Sequence, residues 1–451
     1  MVKTKSVFIC SNCSFQSPRW QGRCPECGEW NTFSETRIAG SGKGGASPSA
    51  VAVQRLGEIE GKATPRLSTG IGELDSVLGG GIVPGSLVLL GGDPGIGKST
   101  IALQLAINAQ KSQHDVLYVS GEESAQQIKL RSNRLPVTEN LAVLAETNLE
   151  TVLATILAEQ PELVVIDSIQ TMNSEQVNGV VGGVSQLTFA TNALMRLAKE
   201  NHIAIIVIGH VTKEGMLAGP KTLEHMVDTV LYLEGERFAS LRILRSNKNR
   251  FGSVGEVGVF EMTEAGMMEV ANPSLLFLEN RETSLPGSST TAILEGNKVL
   301  LLEIQALVNP THFNNPRRTT SGFDLNRLQL ILAILQKSLG LKLNEHDVFI
   351  NVAGGFKIDE RAADLPVALA ILSSMTGLAL PPQLVAFGEI GLLGEIRGVA
   401  QADKRIREVQ KLGFKHAVVG GRKDDKLQAK YKGINTQLVS GIRQLEELLK
   451  K

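Results

Sequence analysis

Short apolar runs alternate with segments of helical periodicity through the middle of the chain, from about residue 64 to residue 270. The strand-like runs lie at residues 86–90, 116–119, 163–166, 203–208 and 229–233. Between these runs, apolar residues recur at i, i+3, i+4 and i+7, as in Ala102, Leu105, Ala106 and Ala109 and again in Leu187, Ala190, Thr191 and Leu194. Strands that alternate with helices in this way predict an α/β domain with a mainly parallel sheet over residues 64–270.

The pattern differs on either side of this domain. Residues 1–33 hold four cysteines and several aromatic residues, which predicts a very small module. Residues 34–63 are rich in Gly, Ser and Ala, which is typical of a flexible linker. In the C-terminal part, a hairpin is expected from residues 290–294 and 299–307. Helices are expected at residues 324–340, 365–377, 401–413 and 442–450, so that residues 275–451 form an α+β domain.

The composition limits the classes of protein to which the chain can belong. Its 46 Lys and Arg residues balance 46 Asp and Glu residues, and 42% of the 451 residues are hydrophobic. These values exclude a mostly disordered chain and a protein drawn to nucleic acid by its net charge, although local basic patches stay open. No apolar run reaches the roughly 18 to 20 residues that cross a bilayer, so we expect a cytoplasmic protein with no membrane partner.

All four cysteines lie in two Cys-x-x-Cys pairs, Cys10 with Cys13 and Cys24 with Cys27, and ten residues separate the pairs. This spacing lets four thiolates converge on one tetrahedral ion, for which Zn²⁺ is favoured. A rubredoxin-like iron site is the alternative. Because four thiolates leave no open coordination position, we expect a structural metal. The spacing does not decide whether the module contacts DNA or a protein.

A glycine-rich segment carries the strongest functional signal. Residues 92–99 fit the pattern G-x-x-x-x-G-K-S between a strand-like run and a helical segment. The backbone N–H groups of such a loop and the start of the helix bind the phosphates of ATP. Lys98 is expected to neutralise the β- and γ-phosphates, and the Ser99 hydroxyl to ligate Mg²⁺. The predicted ATP-binding residues are Gly92, Asp93, Pro94, Gly95, Ile96, Gly97, Lys98, Ser99 and Thr100.

Three further polar residues follow strand-like runs and are candidates for catalysis. Asp167 ends an apolar strand and is predicted to hold Mg²⁺. Glu122, the first of two acidic residues, is placed at the carboxyl edge of the sheet, where it can orient the attacking water. The alternative for this acidic pair is to satisfy the N-terminus of a helix. His210 is a candidate sensor of the γ-phosphate, and its alternative is an ordinary polar residue.

These residues together carry a family resemblance. Residues 68–85, the glycine-rich loop, Glu122, Asp167 and His210 resemble the RecA-type ATPase core that replicative helicases share. With the cysteine module, Lys248-Asn-Arg-Phe-Gly252 and the C-terminal domain, nearly the whole chain resembles the bacterial RadA (Sms) family of recombination and DNA-repair proteins. The resemblance implies a homo-oligomer, expected to be a hexamer, that hydrolyses ATP.

Two features of the resemblance concern neighbouring subunits and DNA. Lys248 and Arg250 are two positions apart, so they share a face on an extended strand. We expect both to reach the γ-phosphate of a neighbouring subunit, and the alternative is a DNA contact. The segments 173–185 and 211–222, the latter with Lys213 and Lys221, resemble the DNA-contact loops of the RecA-like core. They predict binding of single-stranded DNA with weak sequence preference.

The C-terminal domain resembles the proteolytic domain of Lon, which uses a serine nucleophile and a lysine base. The matching positions hold Ala362 and Asp403, with Lys404 one residue further, so an inactive protease is expected. The RadA family usually has Pro where this chain has Arg361. Residues 397–432 carry 11 Lys and Arg against 4 Asp and Glu, a balance of 11 − 4 = +7, to which Arg317, Arg318 and Arg327 add. This charge predicts either a phosphate-binding surface or an ordinary solvated face.

The sequence thus predicts a ring-shaped, ATP-driven motor that binds single-stranded and branched DNA and promotes branch migration in recombination and repair. ATP hydrolysis follows from the residues, whereas branch migration follows from the resemblance. Two alternatives stay open: an ATP-gated platform that loads a recombinase or other repair proteins without translocation, and a Lon-type ATP-dependent protease.

Overall fold

The computed structural model of the chain describes residues 5–13, 15–38, 65–135, 140–210, 222–235, 240–270, 272–278, 285–311, 315–421 and 433–449. The chain divides into two compact units. The first holds Met1–Glu234, Leu244–Val254 and Met262–Met268, and the second holds Gly235–Ile243, Gly255–Glu261 and Glu269–Lys451. Residues 34–38, the described part of the linker expected at 34–63, belong to a strand that pairs with residues 5–9, so the start of the linker was predicted wrongly. Residues 39–63 lie outside the described residues.

Three short strands form an antiparallel sheet in the cysteine-rich module. They are β1 (Lys5–Cys10), β2 (Gln16–Ser17) and β3 (Phe33–Ile38), in the order β2-β1-β3. The buried residues at the centre of this module are Cys10, Cys24 and Phe33. A core of this size removes too little apolar surface from water to stabilise a fold, so a metal held by the cysteines is the expected source of stability.

The prediction of a parallel α/β sheet is confirmed. The strands are β4 (Leu87–Gly92), β5 (Val116–Ser120), β6 (Ala142–Ala145), β7 (Leu163–Asp167), β8 (Ala204–His210) and β9 (Thr229–Glu234). Their order is β9-β4-β8-β7-β5-β6, and every neighbouring pair is parallel. The helices are α1 (Gly72–Leu78), α2 (Lys98–Lys111), α3 (Ala125–Ser132), α4 (Leu149–Glu159) and α5 (Val184–Asn201).

Five of these strands coincide with the predicted apolar runs to within two residues, because strands inside a parallel sheet are covered on both faces and read as continuous apolar segments. The sixth strand, β6, was not predicted. It has four residues, and none of them is buried, so its sequence lacks the signal of a central strand.

The strand registers bring the predicted polar residues to one edge of the sheet. Gly92 at the end of β4 pairs with His210 at the end of β8. Ser120 at the end of β5 pairs with Asp167 at the end of β7. Since parallel strands all point the same way, their carboxyl ends lie at the same edge, where open α/β sheets bind ligands.

The chain continues after β9 through β10 (Leu241–Asn249), β11 (Val257–Thr263), β12 (Gly266–Glu269) and α6 (Pro273–Leu278). The remaining strands are β13 (Ser288–Glu295), β14 (Lys298–Pro310), β15 (Arg318–Ser321), β16 (His346–Val352), β17 (Leu384–Phe387), β18 (Glu389–Ile390), β19 (Ile396–Arg397), β20 (His416–Gly420) and β21 (Asn435–Val439). The remaining helices are α7 (Leu325–Leu339), α8 (Asp364–Thr376), α9 (Ala402–Lys411) and α10 (Gln444–Leu449).

The second unit confirms the predicted α+β composition. Its seven-stranded sheet has the order β15-β16-β14-β13-β17-β20-β21, with parallel and antiparallel pairs, and β18 pairs with β19 separately. The predicted hairpin is present, since Glu295 pairs with Lys298 across a two-residue turn. Helix α7 begins after Asp324, whose side chain accepts from the Arg327 N–H, and ends at Gly340 with φ of 70°. These are ordinary start and stop signals of a helix.

An ion pair between a fully buried arginine and a partly buried glutamate lies inside the second unit. Arg405 has no exposed surface, and its guanidinium donates to both carboxylate oxygens of Glu360 and, at 2.6 Å, to the carbonyl of Ala292. Glu360 Oε2 also accepts from the Leu294 N–H at 2.7 Å. The pair therefore ties α9 to β13.

Glu360→Gln should destabilise this unit strongly, because it leaves a desolvated guanidinium without its counter-charge. Breaking a fully buried pair costs about 3–5 kcal/mol, and because the Glu360 side chain is 26% exposed we expect a loss toward the lower end of this range. Amide hydrogen exchange in β13 and β17 measures the local free energy of unfolding. Asp359→Asn is the matched control, because the pair of Lys357 and Asp359 is exposed to solvent. Equal protection in the two variants would contradict the prediction.

None of the helices in the described ranges combines the length and the apolar character that crossing a bilayer requires.

Candidate nucleotide and metal sites

The glycine-rich loop lies between the end of β4 at Gly92 and the start of α2 at Lys98. A Cβ on Gly92 would lie 2.5 Å from the Leu233 carbonyl oxygen, and Gly97 has φ of 113°, so both positions require glycine. A Cβ on Gly95 would meet no atom within 4 Å, which leaves the space beside the loop open. The Thr100 N–H donates to the Gly97 carbonyl at 3.1 Å, so it is the N–H groups of Lys98 and Ser99, ahead of the first intrahelical bond, that are available to phosphate oxygens.

Lys98 is buried beside this loop. Its Nζ donates to the carbonyls of Gly92 at 2.8 Å and Asp93 at 2.9 Å. Burial lowers the pKa of Lys98 to about 8, against the opposing effect of the Asp167, Asp93 and Glu122 carboxylates. A nearby anion raises the pKa of such a desolvated amine again, because negative charge stabilises the protonated form. The position therefore suits the phosphates of a nucleotide.

Asp167 at the end of β7 is buried and only partly satisfied. The Tyr118 hydroxyl donates to Asp167 Oδ2 at 2.7 Å, and Arg131 Nη2 donates to that hydroxyl at 3.1 Å. The other oxygen, Oδ1, is buried and accepts no hydrogen bond from any residue that the structure describes. A carboxylate oxygen without a donor in such a place suits a divalent cation. Asp167 thus fits Mg²⁺, for which the predicted second ligand is Ser99 on the first turn of α2.

Glu122 lies at the same edge and contacts the ends of two other strands. The Ser168 hydroxyl donates to Glu122 Oε1 at 2.6 Å, and His210 Nε2 lies 3.3 Å from the same oxygen. Glu123 instead forms an ion pair with Arg131 at 2.7 Å. Of the two acidic residues, it is therefore Glu122 that the structure brings together with His210.

The loop that carries Glu122 is fixed against β7. The Gly121 N–H donates to the Asp167 carbonyl at 2.8 Å, and the Glu123 N–H donates to the Ser120 hydroxyl at 3.0 Å. A Cβ on Gly121 would lie 1.9 Å from Thr171 Oγ1, in the 3-10 turn Ile169–Thr171. The loop and this turn therefore fit together only with glycine at position 121.

Tyr118→Phe should weaken magnesium binding, because it removes the hydroxyl that orients Asp167. Losing a partner that orients a metal ligand typically costs 10- to 100-fold in metal affinity or activity, so we expect a rise of about this size in the Mg²⁺ concentration for half-maximal ATPase. Magnesium titrations at saturating ATP measure it. Tyr232→Phe is the control, since the Tyr232 hydroxyl donates to Glu224 instead. An unchanged titration for Tyr118→Phe would refute this role.

Lys248 and Arg250 lie at the end of β10, on the side away from the buried Asn249. Lys248 Nζ donates to the carbonyls of Glu224 at 2.7 Å and His225 at 3.3 Å, and burial lowers its pKa. Arg250 Nη1 donates to the buried Asp228 at 3.0 Å and is half exposed. These contacts are all within one chain, so the action of the two cations on a neighbouring subunit stays a prediction.

The four cysteines converge on one point. Their Sγ atoms all lie within 4.8 Å of one another, with 3.7 Å between those of Cys10 and Cys27 and 3.4 Å between those of Cys13 and Cys24. A tetrahedral zinc ion with bonds of about 2.3 Å places its sulfur ligands about 3.8 Å apart. The residues therefore fit a four-thiolate structural site of the kind predicted.

The residues at the protease positions do not form a nucleophile and a base. Ala362 is fully buried and has no hydroxyl, and Lys404 Nζ donates to the backbone and side-chain oxygens of Asn297. Asp403 lies on the first turn of α9. Arg361, which stands where the RadA family usually has Pro, lies 3.9 Å from Glu389 and is exposed.

The predicted basic surface needs a correction. Arg405 is buried against Glu360. Arg327 is 14% exposed and donates to Asp364 and to the Ile390 carbonyl, so these two cations contribute little to an exposed basic surface. Internal carboxylates compete for such cations, and a count of charges along the sequence cannot detect them. Residues 422–432 of the basic segment lie outside the described residues.

Only one of the two expected DNA-contact segments is described. In residues 173–185, Val180 and Val181 are exposed apolar residues that precede α5. Residues 211–221, with Lys213 and Lys221, lie outside the described residues.

Sequence reasoning missed Tyr118, Arg131 and Ser168, which hold the carboxylates in place. One signal for Tyr118 was present, since a tyrosine inside a buried strand needs a partner for its hydroxyl. Arg131 and Ser168 carry no such signal, because they reach Glu123 and Glu122 only through the fold.

Comparison with family models divides the chain into three parts. The model of the AAA domain matches residues 63–216. The model of the rubredoxin metal binding domain matches residues 8–35, and that of subunit ChlI of Mg-chelatase matches residues 326–422. The fold is thus a RecA-like ATPase core with an N-terminal zinc ribbon and a C-terminal ChlI/Lon-like domain, as predicted.

Relatives match over nearly the whole chain. The DNA repair protein RadA of Bacillus subtilis strain 168 is 48% identical over 457 residues, which cover 100% of this chain and 99% of that protein. The DNA repair protein RadA of Pseudomonas aeruginosa is 49% identical over 424 residues, 93% of each. Among solved structures, the RadB recombinase is 26% identical and covers 45% of this chain and 99% of that one, with a TM-score of 0.36.

Proposed function

The chain belongs to the RadA family of DNA repair proteins, and on this premise we propose that it is a DNA-dependent ATPase that acts in recombination and DNA repair. One observation carries the proposal. The glycine-rich loop, the buried Asp167 with an oxygen that lacks a donor, and the contact of Glu122 with His210 all lie at the carboxyl edge of one parallel sheet. Such an edge suits binding and hydrolysis of a nucleotide triphosphate.

The residues have separate roles in the proposed reaction. The N–H groups at the start of α2 and Lys98 Nζ bind the phosphates of ATP. A Mg²⁺ ion held by Ser99 and Asp167 would neutralise charge on these phosphates. Glu122 orients the attacking water and accepts its proton, which makes it the general base. His210, 3.3 Å from the Glu122 carboxylate, links the position of that base to the state of the γ-phosphate.

Assembly and DNA binding complete the proposal. The subunits form a ring, expected to be hexameric, in which Lys248 and Arg250 act on the nucleotide of a neighbour. Residues 173–185 of each subunit contact single-stranded DNA. ATP hydrolysis moves these segments of the subunits relative to one another, and the branch point of the DNA migrates as a result. The ChlI/Lon-like domain serves as a scaffold without protease activity, which the buried Ala362 in place of a serine supports.

ATPase turnover with and without single-stranded DNA tests this function. We expect DNA to raise turnover several-fold, and Lys98→Ala to abolish both turnover and strand displacement while DNA binding persists. Lys111→Ala, at the opposite end of the same helix, is the matched control and should retain all three activities. If DNA does not change ATPase turnover and no strand displacement is seen, the result favours the ATP-gated loading platform. Degradation of casein by the protein would support the Lon-type protease.

A further inference from the structure

Both tryptophans of the chain lie in the cysteine-rich module, and both are exposed. The sequence contains two tryptophans, and Trp20 and Trp30 keep 54% and 66% of their surface in contact with solvent. The small core of this module consists of cysteines and Phe33, so neither indole contributes to it. Tryptophan is enriched at interfaces, and neighbouring apolar residues exposed together mark interaction sites.

The two indoles border the same space. A Cβ placed on Gly22 would lie 3.7 Å from Trp20 Cη2 and 3.7 Å from Trp30 Cζ3. An isolated bridge between Arg23 and Trp30 and the hydrogen bond from Asn31 N–H to the Gly22 carbonyl, at 2.8 Å, hold the two segments side by side. The edges of both indole rings therefore lie beside Gly22, with room for little more than a methyl group between them.

The charge around the indoles points to the kind of partner. The Arg23 guanidinium lies 5.9 Å from the centre of the Trp30 ring, and its Nε donates to the Gly28 carbonyl at 2.8 Å, which fixes it there. Arg19 is exposed next to Trp20, whereas the two acidic residues of residues 15–33, Glu26 and Glu29, are exposed on the segment that leads to Trp30. Aromatic faces flanked by guanidinium groups suit unpaired bases, which stack on the rings while their phosphates lie near the cations.

We propose that Trp20 and Trp30 form a stacking surface for the bases of single-stranded DNA, with Arg19 and Arg23 beside the phosphates. The inference rests on the proposed DNA-dependent function and assigns a partner to the cysteine-rich module. Binding by stacking does not read sequence, because every base presents an aromatic face. The surface should therefore accept any unpaired segment and reject a duplex, in which the bases are already stacked on one another.

The intrinsic fluorescence of the full-length protein tests this proposal, since no other tryptophan contributes to the emission. Titration with unlabelled oligo-deoxythymidine should quench the emission with the same midpoint as an anisotropy titration with a labelled oligonucleotide. Duplex DNA of the same length should quench little. An anisotropy change that reaches saturation while tryptophan emission stays constant would overturn the inference and leave the proposed function intact. If anisotropy shows no binding of DNA at all, both fail.

Variants separate stacking from a structural role. Trp20→Ala and Trp30→Ala should each weaken the binding of oligo-deoxythymidine about 5- to 150-fold, the range expected for one lost stacking contact. Trp30→Phe should recover most of the affinity, because it keeps an aromatic face. Gly22→Leu exceeds the room between the rings and should weaken binding while both indoles remain. The control is Leu393→Ala, which removes an apolar side chain that is 90% exposed in the second unit.

Bound zinc, measured for each variant, shows whether the module is still folded. We expect one zinc ion per chain in all of them, since Trp20, Trp30 and Gly22 are not ligands. Unchanged affinity in the two alanine variants with zinc retained would overturn the proposal. If an alanine variant loses zinc, Trp30→Phe decides between stacking and a structural role. In that variant Trp20 is the one remaining tryptophan, so DNA should still quench the emission. Emission that does not respond to bound DNA would overturn the proposal.

Discussion

Arg250→Ala lowers ATPase turnover of the assembled protein by about 10³-fold or more if its guanidinium completes the site of a neighbouring subunit. Cations supplied across a subunit border are worth about 10³ to 10⁵ in rate in other nucleotide hydrolases. Within its own chain, Arg250 contacts Asp228 at 3.0 Å and half of its side chain faces solvent, so it has surface free to meet a neighbour. Steady-state turnover above the assembly concentration measures the loss.

Mixing two inactive variants distinguishes action across the border from a direct DNA contact. Lys98→Ala subunits cannot use their own loop but still present Arg250, and Arg250→Ala subunits have an intact loop but lack the cation. If the cation acts in trans, mixed rings contain some complete sites, and activity returns. No recovery on mixing, together with weaker DNA binding by Arg250→Ala, would establish the DNA contact instead.

A stability control is needed because Asp228 is buried and loses a partner in Arg250→Ala. Lys199 lies 3.8 Å from the same carboxylate, and the Leu87 N–H donates to its other oxygen at 3.2 Å. Arg250→Lys keeps a cation for Asp228 but not the planar fork that suits phosphate. It should therefore melt close to the native chain and still hydrolyse ATP poorly.

Removal of the metal unfolds the cysteine-rich module. Structural zinc contributes about 10–16 kcal/mol of apparent binding free energy in small zinc modules, which exceeds what a core of Cys10, Cys24 and Phe33 can supply. After chelation, or in Cys13→Ser, the amides of β1 and β3 should lose their protection from hydrogen exchange. Elemental analysis of the native protein should give one zinc per chain, and iron in its place would establish the rubredoxin-like alternative.

The strands of the parallel sheet are the internal control of this exchange experiment. No cysteine lies outside residues 10–27, so the amides of β4, β5 and β7 have no direct link to the metal and should stay protected. If β1 and β3 remain protected without metal, the module has another source of stability and this account of it is wrong.

The sequence predicts the core and the edge residues for a physical reason. Apolar runs identify β4, β5, β7, β8 and β9, and once these strands are parallel, the residues that follow them must lie at one edge. Gly92, Asp167 and His210 meet there because of the registers of three strands and not because they are near one another in the sequence.

The contacts that hold the side chains could not be predicted in the same way. Tyr118 and Arg131 reach Asp167 and Glu123 by packing across β5 and α3, which depends on side-chain conformations that no periodicity encodes. The same limit explains the basic segment. Arg405 reads as a surface cation in the sequence, but the fold places it against Glu360.

The contacts of Gly121 with Asp167 and Thr171 have a consequence for the site. Because its N–H bonds to the Asp167 carbonyl and a side chain there would clash with Thr171, backbone contacts hold the loop of Glu122 against the strand of Asp167. If Glu122 and Asp167 have the roles proposed above, these contacts set the spacing between the base and the magnesium ligand. Regulation of hydrolysis would then act on other groups of the site, while this spacing stays constant.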